Sequence, residues 1–285
     1  SNDEEKVRLK DQLIQSAKAF EDLRLDMLAL KKSLEESKSD NDRQNFALAY
    51  AEKSKALSIV ELFNKGQAFY WGYRGKSIDY FEAKKWYQKA ADKDFASAQY
   101  NLALMYANGQ GVQQDNRQAL YWYQKSADQG LPSAQYNLAR LYFSGQSVLQ
   151  DYKKAVYWYQ KAASQGNANA QFNLAHRYGR GQGVQKDSKQ AVYWYQKAAD
   201  QGHADAQYLL GFMYNGGIGV QKDYKQAAYW FLKAAAQGIA DAQYNLAYKY
   251  ANGQGVQQDN KQALYWFQQS AAHGHKEAIN LLRNM

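Results

Sequence analysis

Trp86, Trp122, Trp158, Trp194, Trp230 and Trp266 recur at a constant interval of 36 residues, and Gln99, Gln135, Gln171, Gln207 and Gln243 keep the same step. A fixed period of this length, with no insertion, marks a chain whose units are single supersecondary elements. Each buries its apolar face only by stacking on its neighbours, so the expected architecture is a solenoid rather than a fold closed around one central core. The 285 residues are 46% hydrophobic and contain one proline, Pro132, so there is apolar material for a stacked core and little to interrupt helices.

One unit, Ala98 to Gly130, shows how the period is built. Ala98, Leu102 and Tyr106 share a face of a first helix, with the small Ala103 beside them allowing a neighbour to approach. Gly109 and Gly111 then supply a permissive turn with Val112 as its apolar plug. Asp115 with Gln118 forms a capping box for a second helix, repeated as Asp187 with Gln190, Asp223 with Gln226 and Asp259 with Gln262. Ala119, Trp122, Tyr123 and Ala127 are its expected buried stripe. Gly130 stops it, as do Gly166, Gly202, Gly238 and Gly274 in later copies. The G-x-G of each turn lacks a preceding strand and a following Lys-Ser/Thr, which argues against a phosphate cradle.

This order of alanine, leucine-alanine, tyrosine, G-x-G-V, aspartate, alanine, tryptophan, Lys-Ala and glycine resembles the Sel-one-like repeat, a relative of the tetratricopeptide repeat, from about Ile59 to the C-terminus. Departures are local. Tyr73 stands where the first turn glycine is expected and Asp94 at a helix stop, which marks an N-terminal cap repeat. Ser147 and Lys154 replace a glycine and a capping-box glutamine in one altered turn. The resemblance implies an all-α, right-handed α-solenoid of 36-residue helix-turn-helix repeats. It also implies an adaptor or scaffold, often bacterial and in envelope or host-interaction roles.

The first residues are a different element. Leu9, Ser16, Leu23 and Leu30 recur every seven residues, with Leu13, Phe20, Met27 and Leu34 in the complementary phase, which is a coiled-coil seam. Ser39-Asp40-Asn41-Asp42 interrupts it, and Phe46, Ala49, Tyr50, Lys53, Ala56, Leu57 and Val60 resume a helical stripe. The seam suits homo-oligomerisation through Leu9–Leu34; the competing reading is an intrachain hairpin with residues 43–62. The expected division is a helical segment over 1–58 and a repeat region over 59–285. The latter comprises a degenerate first repeat, about five full repeats and a C-terminal cap. The opening Ser1-Asn2 reads as a protease scar, with a signal peptide, an anchor or a disordered leader as the piece removed.

Charge is unevenly placed. Of the net +9, residues 1–55 hold 11 Lys/Arg against 12 Asp/Glu, and the remaining 230 hold 25 against 15. A basic repeat region favours anionic partners, but no clustered basic block points to specific nucleic-acid binding, and a solubilising surface charge is the favoured account. Cysteine is absent. His176 falls on a first helix and His203, His273 and His275 in inter-repeat turns; His203 and His275 lie two repeat periods apart, too far to share a metal. No nucleophile–base set, paired carboxylates or cofactor fingerprint is present, so no catalytic residue, cofactor or metal is assigned. The tyrosines and tryptophans recur at core-forming positions and read as core rather than as a base-stacking surface.

Variation between copies locates the candidate site. The residue after Ala103 runs Leu104, Arg140, His176, Phe212 and Tyr248, and the next runs Met105, Leu141, Arg177, Met213 and Lys249. By resemblance the first helices line the concave face. Leu104, Arg140, His176, Arg177, Phe212 and Tyr248 are therefore expected to bind a partner there, with Asn137 and Asn173 in the same register as either ligand contacts or structural amides. The expected function is a non-enzymatic scaffold for an acidic, partly apolar protein or peptide, periplasmic or otherwise envelope-associated, with the cytoplasm as alternative. A membrane link would run only through a removed N-terminal segment. The rival functions are an anionic-polymer module, for cell-wall glycan or nucleic acid, and an enzyme such as a hydrolase.

Overall fold

The computed structural model describes residues 2–37, 39–73, 75–145 and 148–284, with side chains at Lys18 and from Phe20 onward within those spans. Every regular element among them is helical: α1 (Asn2–Glu36), α2 (Asp40–Trp71), α3 (Tyr80–Ala91), α4 (Ala96–Asn108), α5 (Asn116–Asp128), α6 (Pro132–Ser144) and α7 (Tyr152–Ser164). They continue as α8 (Ala168–Arg180), α9 (Ser188–Asp200), α10 (Ala204–Gly216), α11 (Tyr224–Ala236), α12 (Ala240–Asn252), α13 (Asn260–Ala272) and α14 (Lys276–Arg283). The chain is an all-α solenoid of repeated helix pairs. It falls into two compact units, Ser1–Ser126 and Ala127–Met285.

In the first unit α1 lies against α2, joined by the Lys53–Asp26 ion pair. Ser39 caps α2 by accepting from the Asp42 amide. Phe20, Leu23, Met27, Leu30 and Leu34 are half-buried, so in this structure the seam meets the chain's own second helix. The side chains of Leu9, Leu13 and Ser16 lie outside the described residues. α2 is a single helix that passes through residue 58 and ends on Gly72, which takes the left-handed conformation at φ 66°, one residue before the position filled by glycine in later copies. Asp94, at φ 60°, takes the place of the stop glycine after α3, a conformation that aspartate tolerates better than most residues.

In the second unit the copies from α8 onward show the repeat physics most plainly. Ala170, Leu174 and Ala175 of α8 are fully buried, as are Ala191 and Ala198 of α9 and Ala206 and Leu210 of α10; these small residues and leucines let the helices close on each other. Both turn glycines are necessary for different reasons. Gly181 ends α8 at φ 67° and donates its amide to the Arg177 carbonyl. A Cβ on Gly183 would lie 2.2 Å from the carbonyl oxygen of Tyr152, so the turn rests backbone to backbone on the preceding repeat. Ser147, the departure in the altered turn, lies outside the described residues.

Asp187, Asp223 and Asp259 each accept two backbone amides, including that of the glutamine three residues on, at 3.0 Å. Among the described residues the reciprocal half of the expected capping box is not made. The Asp187 amide donates to the Tyr178 carbonyl at 3.0 Å, and Asp223 and Asp259 do the same with Tyr214 and Tyr250, so the main chain has already satisfied the donor that the glutamine would reach. Asp151, followed by Lys154, accepts the Lys154 amide in the same way.

The invariant glutamines form a clamp. Gln171 Nε2 donates to the Ala163 carbonyl at 3.0 Å while its Oε1 accepts from Gln201 Nε2 at 2.7 Å, and Gln207 repeats this with Ala199 and Gln237. At the last copy His273 Nδ1 stands 3.0 Å from Gln243 Oε1, in the place of that second glutamine. A buried amide with its polar atoms matched ties each helix pair to the next, and its loss would strand the carbonyls it serves.

Candidate functional site

The first helices of the second unit carry two faces in one register. Toward the interior stand the buried alanine, glutamine and leucine positions just described. Beside them Tyr136, Phe172, Tyr208 and Tyr244 are half-buried, their rings 5.6–6.1 Å from Tyr159, Tyr195, Phe231 and Phe267 of the partnering helices. One turn further along are Arg140, His176, Phe212 and Tyr248, the variable series read from the sequence.

The Arg140 guanidinium carbon lies 5.8 Å from the Tyr136 ring centre and the side chain is exposed. His176 meets Phe172 edge-on at 4.8 Å and Tyr195 at 5.6 Å. Burial, helped by Arg177 and Arg180, lowers its pKa to about 4, so near neutral pH it is a polar aromatic and not a cation. Phe212 is 47% exposed and Tyr248 41%. Tyr248 packs on Tyr244 at 4.9 Å, and the Tyr244 hydroxyl donates to it at 3.2 Å, a bond that with burial raises the Tyr244 pKa to about 12.

Two histidines found by sequence only as turn residues complete the aromatic strip. His203 stacks on Phe172 with ring centres 4.4 Å apart, and His275 on Tyr244 at 4.2 Å. Each also caps the next helix, its Nδ1 accepting from Ala206 or Ala278 at 3.3 Å, which fixes the ring orientation.

Arg177 corrects the sequence reading. It is 6% exposed, its guanidinium carbon is 4.0 Å from the Phe143 ring centre, and Nη1 donates to Gln182 Oε1 at 2.7 Å. A residue following His176 is turned about 100° around the helix axis, which carries Arg177 off the exposed strip and under the turn. Lys249, its counterpart in α12, is also buried, bonded to Asn215 and Gln254 and 4.2 Å from the Tyr224 ring centre. Asn173 spends its amide on the Asn169 carbonyl at 2.9 Å, as Asn245 does on Asp241 at 2.7 Å; this is the structural alternative for these amides. Asn137 is half-buried at the same register. Leu104 is half-buried in α4 of the first unit.

Among the described residues no group of three or more His, Asp or Glu is arranged to hold a metal ion, and no helix is long and apolar enough to cross a membrane.

Six copies of the Sel1 repeat match in succession, at residues 62–95, 96–131, 132–167, 168–203, 204–239 and 240–275. The fold is similar to that of c5321, a protective antigen present in uropathogenic Escherichia coli strains and displaying an SLR fold. That match has 38% identity and a TM-score of 0.75, and covers 79% of this chain and 49% of that one. A Sel1 repeat protein from Oxalobacter formigenes is similar at 37% identity and a TM-score of 0.66, over 75% of this chain and 87% of the other. DAP3-binding cell death enhancer 1 of Mus musculus is 33% identical over 78 residues, 26% of this chain and 15% of its own length, so the chain spans a small part of that curated relative. Sel1 repeat proteins are generally protein-interaction scaffolds, and the solenoid is usually non-catalytic. With its repeats tiled without a gap over residues 62–275, the chain belongs to the Sel1 repeat family.

Proposed function

We propose that this chain is a non-enzymatic scaffold that holds an acidic, partly apolar peptide segment of a protein partner along the first-helix face of its second unit. One observation carries the reading. At the register of Arg140, His176, Phe212 and Tyr248 the side chain changes from copy to copy while the wall behind it stays constant and buried, and three of the four are exposed. Packing requires neither Arg140 nor Phe212, while Tyr248 also rests on Tyr244 and Phe267 with its outer face open. A cation and large rings are the residue types that anchor interfaces. Arg140 would pair with a carboxylate, and Phe212 and Tyr248 would bury apolar side chains. The description of the E. coli relative as a protective antigen supports placement in a bacterial envelope.

The test begins with capture from the native host, followed by affinity measurement on the recovered partner. Replacing Arg140 and Tyr248 together by alanine is expected to weaken binding by about 2 kcal/mol or more, the scale of an interface hot spot. The melting temperature should fall by no more than a few degrees, the share of Tyr248 in packing on Tyr244 and Phe267. Unchanged affinity in the double variant would remove this face from consideration.

A further inference from the structure

The second helices of the repeats carry a surface that the scaffold reading does not use. The tyrosines and tryptophans read together as core, but Tyr157 of α7, Tyr193 of α9, Tyr229 of α11 and Tyr265 of α13, each directly before a tryptophan, are 47–51% exposed. Each is held by its neighbour: the Tyr–Trp ring centres are 4.8–5.0 Å apart, at 77–82°. Lys161, Lys197 and Lys233, one turn on, place Nζ 5.0–5.7 Å from the tyrosine ring centres. One turn back stand Lys153, Lys189, Lys225 and Lys261, all exposed. Every second helix in this unit thus shows a lysine and then a tyrosine along one line, and in the first three a second lysine follows.

These lines lie side by side because successive second helices are tied at their N-terminal ends, and α9 and α11 at their C-terminal ends as well. At the C-terminal end Gln237 Nε2 donates to the Gly202 carbonyl at 3.0 Å, as Gln165 does to Gly130. At the N-terminal end Gly183, Gly219 and Gly255 sit against the backbone of Tyr152, Ser188 and Tyr224. The same N-terminal contact in every successive pair aligns the rows, so a row of tyrosines runs across the stack between two rows of lysines. The capping aspartates Asp151, Asp187, Asp223 and Asp259 border one lysine row with Oδ1 occupied by backbone amides, and Asp200 at the other margin accepts from Gln196.

We infer that this face binds an acidic polysaccharide running across the second helices, with about one carboxylate per disaccharide. Helices packed side by side are about 8–10 Å apart, so a linear ligand meets one tyrosine and up to two lysines at roughly that step. That charge density is low. Nucleic acid carries a phosphate about every 3.4 Å along each strand, which a row of this spacing cannot match. The charge match is instead to a polymer with one anion per repeat step. The tyrosines form an open row rather than pockets, which suits the flat C–H faces of sugar rings. The exposed amides of Gln160 and Gln268 stand beside them for hydroxyl groups. A carboxylate that draws each lysine from its ring uncovers the face on which a sugar rests.

Hyaluronan, with one carboxylate per disaccharide, is the probe, against uncharged dextran, poly-L-glutamate and single-stranded DNA, on the full chain. Hyaluronan should bind best, and should weaken roughly tenfold between about 50 and about 200 mM salt as the paired charges are screened. Replacing Tyr157, Tyr193, Tyr229 and Tyr265 by alanine should reduce affinity about tenfold or more. Should that variant fold poorly, Lys161→Gln with Lys197→Gln and Lys233→Gln leaves the packing intact and should give a comparable loss. The Arg140/Tyr248 alanine variant should bind hyaluronan normally, which separates this face from the first-helix face. No binding of hyaluronan, binding that survives the lysine replacements, or equal binding of poly-L-glutamate or DNA would overturn the assignment.

Discussion

The α1–α2 hairpin and the repeats of the second unit are both antiparallel helix pairs, yet they bury their side chains very differently. α2 has 32 residues, and its buried ones are Phe63, Gly66 and Ala68, all near its C-terminal end. The described seam residues of α1 are only half-buried. By contrast α9, with 13 residues, buries Ala191, Tyr195, Ala198 and Ala199. A repeat helix is covered by its own partner and by the neighbouring repeats, whereas α1 is covered along one side by α2, and α2 gains its second neighbour, α3, toward its C-terminal end. The order of stability should follow: repeats open late, and the first half of the hairpin opens early.

The strongest challenge to that contrast is Trp158→Ala. Trp158 of α7 is buried beside Tyr159 and Ala162, and removing it should cost about 3–5 kcal/mol through the cavity left behind. Because stability in a repeat array is a sum of local and nearest-neighbour contributions, unfolding should lose cooperativity at the middle repeats. Denaturant unfolding followed by circular dichroism measures both effects. A loss below about 0.5 kcal/mol, typical of a surface site, would mean that the repeat stripe has been wrongly phased.

A smaller change is expected in the hairpin. Leu23→Lys with Leu30→Lys puts two charges into the half-buried seam, and should cost about 2 kcal/mol given that full burial of each leucine contributes about 1.5–3 kcal/mol. Hydrogen exchange should accelerate across α1 and the first half of α2, with the repeats unaffected. Light scattering on the same pair addresses self-association. If the seam also joins chains, the unmodified protein exceeds one chain in mass and the variant returns to one. Exchange in α1 unchanged by both lysines would show that the hairpin does not depend on its seam.

The repeats were legible because each local signal agreed with the period: aspartate at the helix start, glycine at φ above zero, and alanine where helices close. Trp122, Tyr123, Ala119 and Ala127 are buried as their spacing predicts. What escaped were features fixed by neighbouring units rather than by local pattern. The heptads of α1 specify an apolar seam but not what covers it. Tyr157, Tyr193, Tyr229 and Tyr265 each precede a buried or half-buried tryptophan, and the turn of about 100° per residue carries them outward. The buried glutamines were visible as a repeat, but their partners, main-chain carbonyls together with Gln201, Gln237 and His273, are set by the fold and not by local pattern.

Arg177 belongs to the same class, and offers the finest test of the comparison between copies. Its position is filled by buried methionine in α4 and α10, Met105 and Met213, and by buried lysine in α12, Lys249. A cation there loses water. Arg177 recovers a ring contact with Phe143, one bond to Gln182 and the field of carbonyls at the helix C-terminus, but its buried Nε has no hydrogen-bond partner among the described residues. Burial likewise pulls the Lys249 pKa below its ordinary value, with Lys222 adding to the effect. Arg177→Met should therefore raise stability by about 1 kcal/mol, because a well-packed apolar side chain avoids the desolvation cost, and the melting temperature should rise by about 2–4 °C. Partner affinity should stay constant, since the side chain is absent from the exposed strip. A loss of stability would show that the ring and carbonyl contacts outweigh desolvation, and weakened binding at unchanged stability would return Arg177 to the partner face.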